Sequence, residues 1–228
     1  MNGFSTAPAE ALQREVRTAL GPSGLMPFGW VVLNGDDFEG DVFEPGRGLL
    51  IGNIGSSLWP AFSTSPERAD GQADPLDRWT VAQLAPLADR LGATMRYPFG
   101  RPLWPFQDYA KRATGMDNSP LGLLIHPQYG LWTALRGLMV FKGDFDVPVH
   151  HVPWHPCDHC VEKPCLTACP VSAFSSEGYD YVSCRTHVAS NAGTTCLNSG
   201  CLARQACPVG DGFAYDEDHQ AFHMSAIV

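Results

Sequence analysis

Apolar and polar residues alternate along the chain with two different periods, and the changes between them mark out its elements. The mixture of apolar and charged positions over residues 8–20 predicts an amphipathic helix. GWVVLN and GRGLLIGNIG, each bounded by Gly, Asp or Pro, predict two strands. In DPLDRWTVAQLAPLADRLG the spacing predicts a helix with Asp74 as N-cap, Pro75 in its first position and Gly92 as terminator. Pro86 is expected to kink or restart it, because proline removes a donor and clashes with the preceding turn. ATMRYPF then predicts a strand, LWPFQDYAKRATG a helix ending at Gly115, and LGLLIHPQYGLWTALRGLMVFKG two apolar strands joined by a turn at 126–130. This order predicts an α/β or α+β sandwich. DVPVHHVPWHP, with three prolines, predicts a linker, and DEDHQAFHMSAIV a short helix docking Phe222, Met224 and Ile227 onto the body.

The 228 residues are 44% hydrophobic and 17% charged, a globular profile. The first twenty residues carry Glu10 and Glu15 and lack an apolar run, so they are not expected to be a signal peptide. The most apolar stretch is broken by His126, Pro127, Gln128 and Arg136, which argues against a membrane span. A cytoplasmic protein is expected. A net charge of -9 with no basic cluster argues against nucleic acid as a partner.

All eight cysteines lie between Cys157 and Cys207. Sulfur chemistry therefore organises the C-terminal part, while residues 1–150 depend on an ordinary core. The first run is Cys157-x2-Cys160-x4-Cys165-x3-Cys169-Pro170, and the second is Cys184-x11-Cys196-x4-Cys201-x5-Cys207-Pro208. In a reducing compartment such spacings predict metal ligands, not disulfides. Structural zinc, on four cysteines or on three with His155, His159 or His187, is one reading. The other is iron–sulfur, because two runs closing in Cys-Pro resemble the bacterial two-cluster ferredoxins, in which the last cysteine of each run serves the other cluster. That resemblance implies one [4Fe–4S] cluster on Cys157, Cys160, Cys165 and Cys207. It implies a second on Cys184, Cys196, Cys201 and Cys169. The x4 spacing is similar to that of iron–sulfur subunits of molybdenum oxidoreductases.

Upstream, ADPLDRWT, YPFGRPLWPFQDYAKRATG and the motif formed by His126, Pro127, Gly130, Trp132, Arg136 and Gly137 follow in one order. Together, over about residues 48–142, they resemble the cobalamin-processing CblC family. The whole layout is similar to epoxyqueuosine reductase, a tRNA-modification enzyme family that joins a CblC-like domain to a two-cluster ferredoxin domain. Where that family carries an acidic proton donor, this chain has YPFGRPLWP, and the family's helical-repeat tail is not expected here. These resemblances imply an α+β, nitroreductase-like sandwich over 1–150, a ferredoxin-like domain with a docking tail over 151–228, and bound cobalamin. Gly122, Leu123, Leu124, Ile125, His126, Tyr129, Gly130, Trp132 and Arg136 would face the corrin, a broad apolar plate edged with amides. Each also has a structural reading: a turn for His126, core for Trp132, a buried ion pair for Arg136. Asp108 and Asp117 are candidate proton donors or solvated surface, and His219 and His223 a candidate metal pair without a third ligand.

The reading as a whole is a cobalamin-dependent or cobalamin-reducing oxidoreductase. It would take electrons from a low-potential donor protein and pass them through two clusters to a corrinoid. The rival is a ferredoxin-type carrier whose N-terminal domain docks a partner and binds no corrinoid.

Overall fold

The computed structural model describes residues 6–34, 46–148, 154–175 and 178–228. They divide into two compact units. Residues 54–56 and 116–133 group with 153–228 in the cysteine-bearing unit, so the chain does not change unit at one point near residue 150. The linker expected at 146–156 lies in part outside the described residues.

In the first unit a four-stranded sheet has the order Met26–Leu33, Gly46–Ile54, Thr133–Lys142, Thr94–Arg96. The first pair and the last pair are antiparallel. Leu49, Leu50, Ile51, Leu138 and Met139 are fully buried, so the two inner strands form the floor of the core. Helices Ala7–Leu20 and Phe106–Thr114 pack on the first strand. Gly29 permits the second contact: a Cβ there would lie 2.2 Å from the Ala113 carbonyl oxygen.

Helix Pro75–Leu91 has its expected limits, with Gly92 left-handed at φ 67° and its N–H returned to the carbonyls of Ala88 and Asp89. Two local expectations are corrected. Asp74 is itself left-handed at φ 51° and makes no side-chain cap, and the helix runs on through Pro86. Burial of Leu84, Leu87 and Ala88 on one face compensates for the hydrogen bond that proline forgoes.

The hairpin expected over 121–143 is also corrected. Leu124–Ile125 pairs with Asp117–Asn118 in a separate two-stranded sheet, while Thr133–Lys142 is taken between two strands of the main sheet. Only the turn survives, as a bridge between His126 and Gly130.

The second unit is a set of short helices around the cysteines, with two small antiparallel pairs among its described residues, Asp117–Asn118 with Leu124–Ile125 and Phe174–Ser175 with Gly178–Tyr179. Leu121, Ile125, Leu131 and Ala203 pack with Cys165 and Cys207 in one cluster. Val188, Cys196 and Met224 form another, against which Cys184, Cys201 and Ile227 pack. The C-terminal helix Glu217–Ser225 thus docks through Met224 as expected. Among the described residues no helix is long and apolar enough to cross a membrane.

Candidate metal centre

Short helices present the thiols. Pro156–His159 carries Cys157 and Pro164–Thr167 carries Cys165, each opened by a proline whose missing N–H costs nothing at a first helical position. Tyr181–Val188 carries Cys184, capped by Asp180, which accepts from the Ser183 N–H at 3.0 Å. Cys196 lies in Thr194–Ser199, and Cys201 is the N-cap of Leu202–Gln205. All eight are free thiols.

The thiols influence one another in two closed sets. Burial pushes the Cys157 thiol up to about 11, with further upward pressure from Cys207, Cys165 and Cys160 and an opposing pull from Lys163. Burial likewise raises Cys165, which feels Cys207 and Cys160, and Cys207, which feels Cys160. Burial raises Cys196, which feels Cys201, Cys169 and Cys184, and Cys201, which feels Cys184 and Cys169. Each set therefore contains three cysteines of one run and the last cysteine of the other.

A cavity with apolar walls is lined by Cys157, Cys160, Cys165 and Cys207, together with Ile125, Pro208 and Val209. Backbone N–H groups turn toward the sulfurs: Leu166 toward Cys165, Val209 toward Cys207, Leu202 toward Cys196, Ala203 and Arg204 toward Cys201. Ala173 N–H donates to Cys169 Sγ at 3.3 Å. Buried thiols in this arrangement stay protonated on their own, and thiolates gathered there need a cation to offset their mutual repulsion. Among the described residues, no group of three or more His, Cys, Asp or Glu is arranged to hold a metal ion. This applies equally to the His219–His223 pair. The two Nε2 atoms lie 3.1 Å apart, His219 Nδ1 lies 3.1 Å from Ser56 Oγ, and Tyr215 stacks on the His219 ring at 4.1 Å.

The residues expected to face a corrin separate by burial. Ile125 is fully buried as a wall of the thiol cavity, and Trp132 is buried beside Tyr215, with ring centroids 5.4 Å apart. At Gly130, with φ 59°, the close approach is made by the chain itself: a Cβ would fall 1.7 Å from the Val209 carbonyl oxygen. Arg136 is 8% exposed in the first unit, where it donates to Asn53 Oδ1 at 3.4 Å and pulls the carboxyl of Asp77 down against the upward effect of burial. Leu123 is 44% exposed, Gly122 is exposed, and Leu124, His126 and Tyr129 are half-buried. His126 Nδ1 accepts from the backbone N–H groups of Gln128 and Tyr129 at 3.0 and 3.2 Å, and its ring stacks on Tyr129. In the neutral ring its proton is therefore on Nε2. Asp108 pairs with Arg112 on the surface at 3.3 Å, and Asp117 is exposed.

Two contributors carry no motif. Arg204 lies between Cys201 and Cys207, its guanidinium 4.4 Å from both the Trp132 and the Tyr215 ring centroids. It donates from Nε and Nη2 to the Leu131 carbonyl at 3.2 and 2.6 Å. Burial, with the neighbouring Cys184 thiol, raises the pKa of the Tyr179 phenol. The place of Arg204 between two cysteines is a sequence signal that could have found it, whereas Tyr179 carries none.

No family model matches the chain, and no curated protein matches it. Solved structures do. The Caenorhabditis elegans B12-trafficking protein CblC, a homologue of the human protein, aligns over 96% of this chain and 92% of its own, at 15% identity and a TM-score of 0.57. An epoxyqueuosine reductase aligns over 95% of this chain and 69% of its own, at 15% identity and 0.56. The epoxyqueuosine reductase of Bacillus subtilis aligns over 92% and 68%, at 16% identity and 0.55. The fold is the α+β fold of CblC and epoxyqueuosine reductase.

Proposed function

We propose that this chain is an iron–sulfur redox protein of cobalamin chemistry, a cobalamin-dependent or cobalamin-reducing oxidoreductase. The carrying observation is the closure of eight thiols into two sets of four, each completed by the last cysteine of the other run, in a chain with this fold. A lone zinc ion needs its ligands at one point, whereas in a cubane each thiolate binds its own iron atom. Four thiols spread around an apolar cavity therefore suit the second arrangement.

Cys157, Cys160, Cys165 and Cys207 would hold one [4Fe–4S] cluster, and Cys169, Cys184, Cys196 and Cys201 the other. Bound there, such clusters supply single electrons at low potential to a corrinoid. The chain's own part is to bind, shield and orient. Ile125, Pro208 and Val209 keep water from the first set, and the N–H groups around the sulfurs stabilise negative charge. Exposed Leu123 offers apolar surface to a corrin face, and His126 Nε2–H is a donor suited to an amide carbonyl at its edge. The net charge of -9 suits a low-potential donor protein with a basic docking face. Eight thiols also suit a reducing compartment such as the cytoplasm.

One observation favours the carrier that binds no corrinoid: Ile125, Gly130, Trp132 and Arg136 are engaged in packing. Anaerobic purification with metal analysis, followed by titration with cob(II)alamin under EPR, separates the two. About eight irons per chain and a shifted cobalt signal are expected. The same iron without a shift leaves the carrier, and zinc in place of iron overturns both.

A further inference from the structure

The first unit, which carries no cysteine, holds a cavity of about 240 Å³ beside Met26–Leu33, the strand at one edge of the four-stranded sheet. Trp30 and Val31 of that strand line it with Val147, all three buried, and with half-buried Pro148. Val32, also in the wall, is 37% exposed, so on that side the cavity meets solvent. The Trp30 ring is held between Phe141, at 5.7 Å and 51°, and Phe145, at 5.7 Å and 87°. Its Nε1–H is buried, and among the described residues no atom accepts from it. Arg112 joins the wall from helix Phe106–Thr114. Its Nη2 donates to the Val32 carbonyl at 3.0 Å and its Nε lies 3.3 Å from Asp108 Oδ2, which fixes a guanidinium at the cavity.

We propose that this cavity binds a small organic acid, whose carboxylate accepts from Trp30 Nε1–H beside the charge of Arg112 and whose apolar body lies against Val31, Val147 and Pro148. A buried indole N–H almost always finds an acceptor, and one without a partner in the protein calls for a molecule that supplies it. Water is a poor candidate, since a buried water needs two to four polar partners and these three side chains offer none. Apolar walls with one or two polar groups that fix orientation are the composition of a small-molecule site. The nearby guanidinium favours a charged acceptor over a neutral one. On the scale by which a cavity of about 150 Å³ takes benzene, this one takes about ten non-hydrogen atoms, the size of phenylacetate. The site belongs to the first unit alone and is independent of the iron–sulfur reading.

The test is calorimetric titration of the full, anaerobically purified chain with phenylacetate, and with 2-phenylacetamide as a neutral molecule of the same size. Saturable binding of one phenylacetate per chain is expected, with Kd below about 1 mM, a modest affinity for about ten atoms. The amide should bind roughly 3- to 10-fold more weakly, because it lacks the charge. Trp30→Phe keeps a ring beside Phe141 and Phe145 but removes the donor, and should weaken phenylacetate about tenfold or more. Since Trp30 is a core residue, Val32→Trp provides a second measure: from an exposed position it fills the cavity, and it should abolish binding while the melting temperature holds. Absence of saturation by about 10 mM overturns the proposal. So does full affinity in either variant, which would put the ligand elsewhere, and so does an amide that binds as tightly as the acid.

Discussion

Gly130 and Val209 meet backbone to backbone: a Cβ on Gly130 would fall 1.7 Å from the Val209 carbonyl oxygen. The contact is reciprocal, since a Cβ on Gly210 would lie 2.3 Å from the Tyr129 carbonyl carbon. The turn after His126 is thus pressed onto the loop that follows Cys207. Gly130→Ala adds a left-handed penalty to this clash, and a loss of about 3 kcal/mol or more is expected. Thermal melting and iron content should fall together, whereas an unchanged melt would mean that the two loops separate freely.

Arg204, on the helix Leu202–Gln205 that precedes Cys207, holds the Leu131 carbonyl. Its two hydrogen bonds and two ring contacts should make Arg204→Ala cost about 2–3 kcal/mol. Lysine lacks the planar fork, so Arg204→Lys should recover less than half of that loss. Full recovery in denaturant unfolding would show that charge alone matters.

Serine variants test the crossed thiol sets. Cys157→Ser and Cys207→Ser should abolish the same EPR signal, and Cys169→Ser and Cys184→Ser the other, each variant keeping about four irons of eight. If Cys169→Ser instead matches Cys157→Ser, the thiols group by run.

The thiols also predict a pH dependence. The Cys157 pKa rises from 9.0 to about 11 in the folded chain, so in the absence of metal its contribution to stability is complete below pH 9 and is lost as the pH climbs toward 11. Metal uptake displaces these protons and should strengthen as pH rises. Melting curves between pH 8 and 11 should fall for the metal-free chain and stay level for the loaded one.

Where one segment settles its own conformation, the sequence could be read. Gly92 and Gly115 end their helices as the pattern requires, each left-handed with its N–H returned to the last turn. The crossed grouping of the thiols was an expectation of a different kind, because it came from the resemblance of the Cys-Pro closures at 169–170 and 207–208 to a known arrangement. What escaped was set at long range. The strand Thr133–Lys142 looked like half of a hairpin, but its partners lie at 46–54 and 94–96, and no local pattern states which of two apolar runs will win. Gly130 was legible as a place of close approach, though not that Val209 would fill it. Tyr179 and Arg204 are single residues whose partners depend on a hairpin and a loop closing correctly.

The crossing of the thiol sets also has a meaning for biosynthesis. The set that begins at Cys169 is complete once Cys201 has been synthesised, but the set that begins first, at Cys157, waits for Cys207, the last cysteine of the chain. Three of its members must stay reduced and unpaired while 42 further residues emerge after Cys165. Assembly would therefore run against the order of translation, with the later-starting centre finished first and the earlier one closed after it.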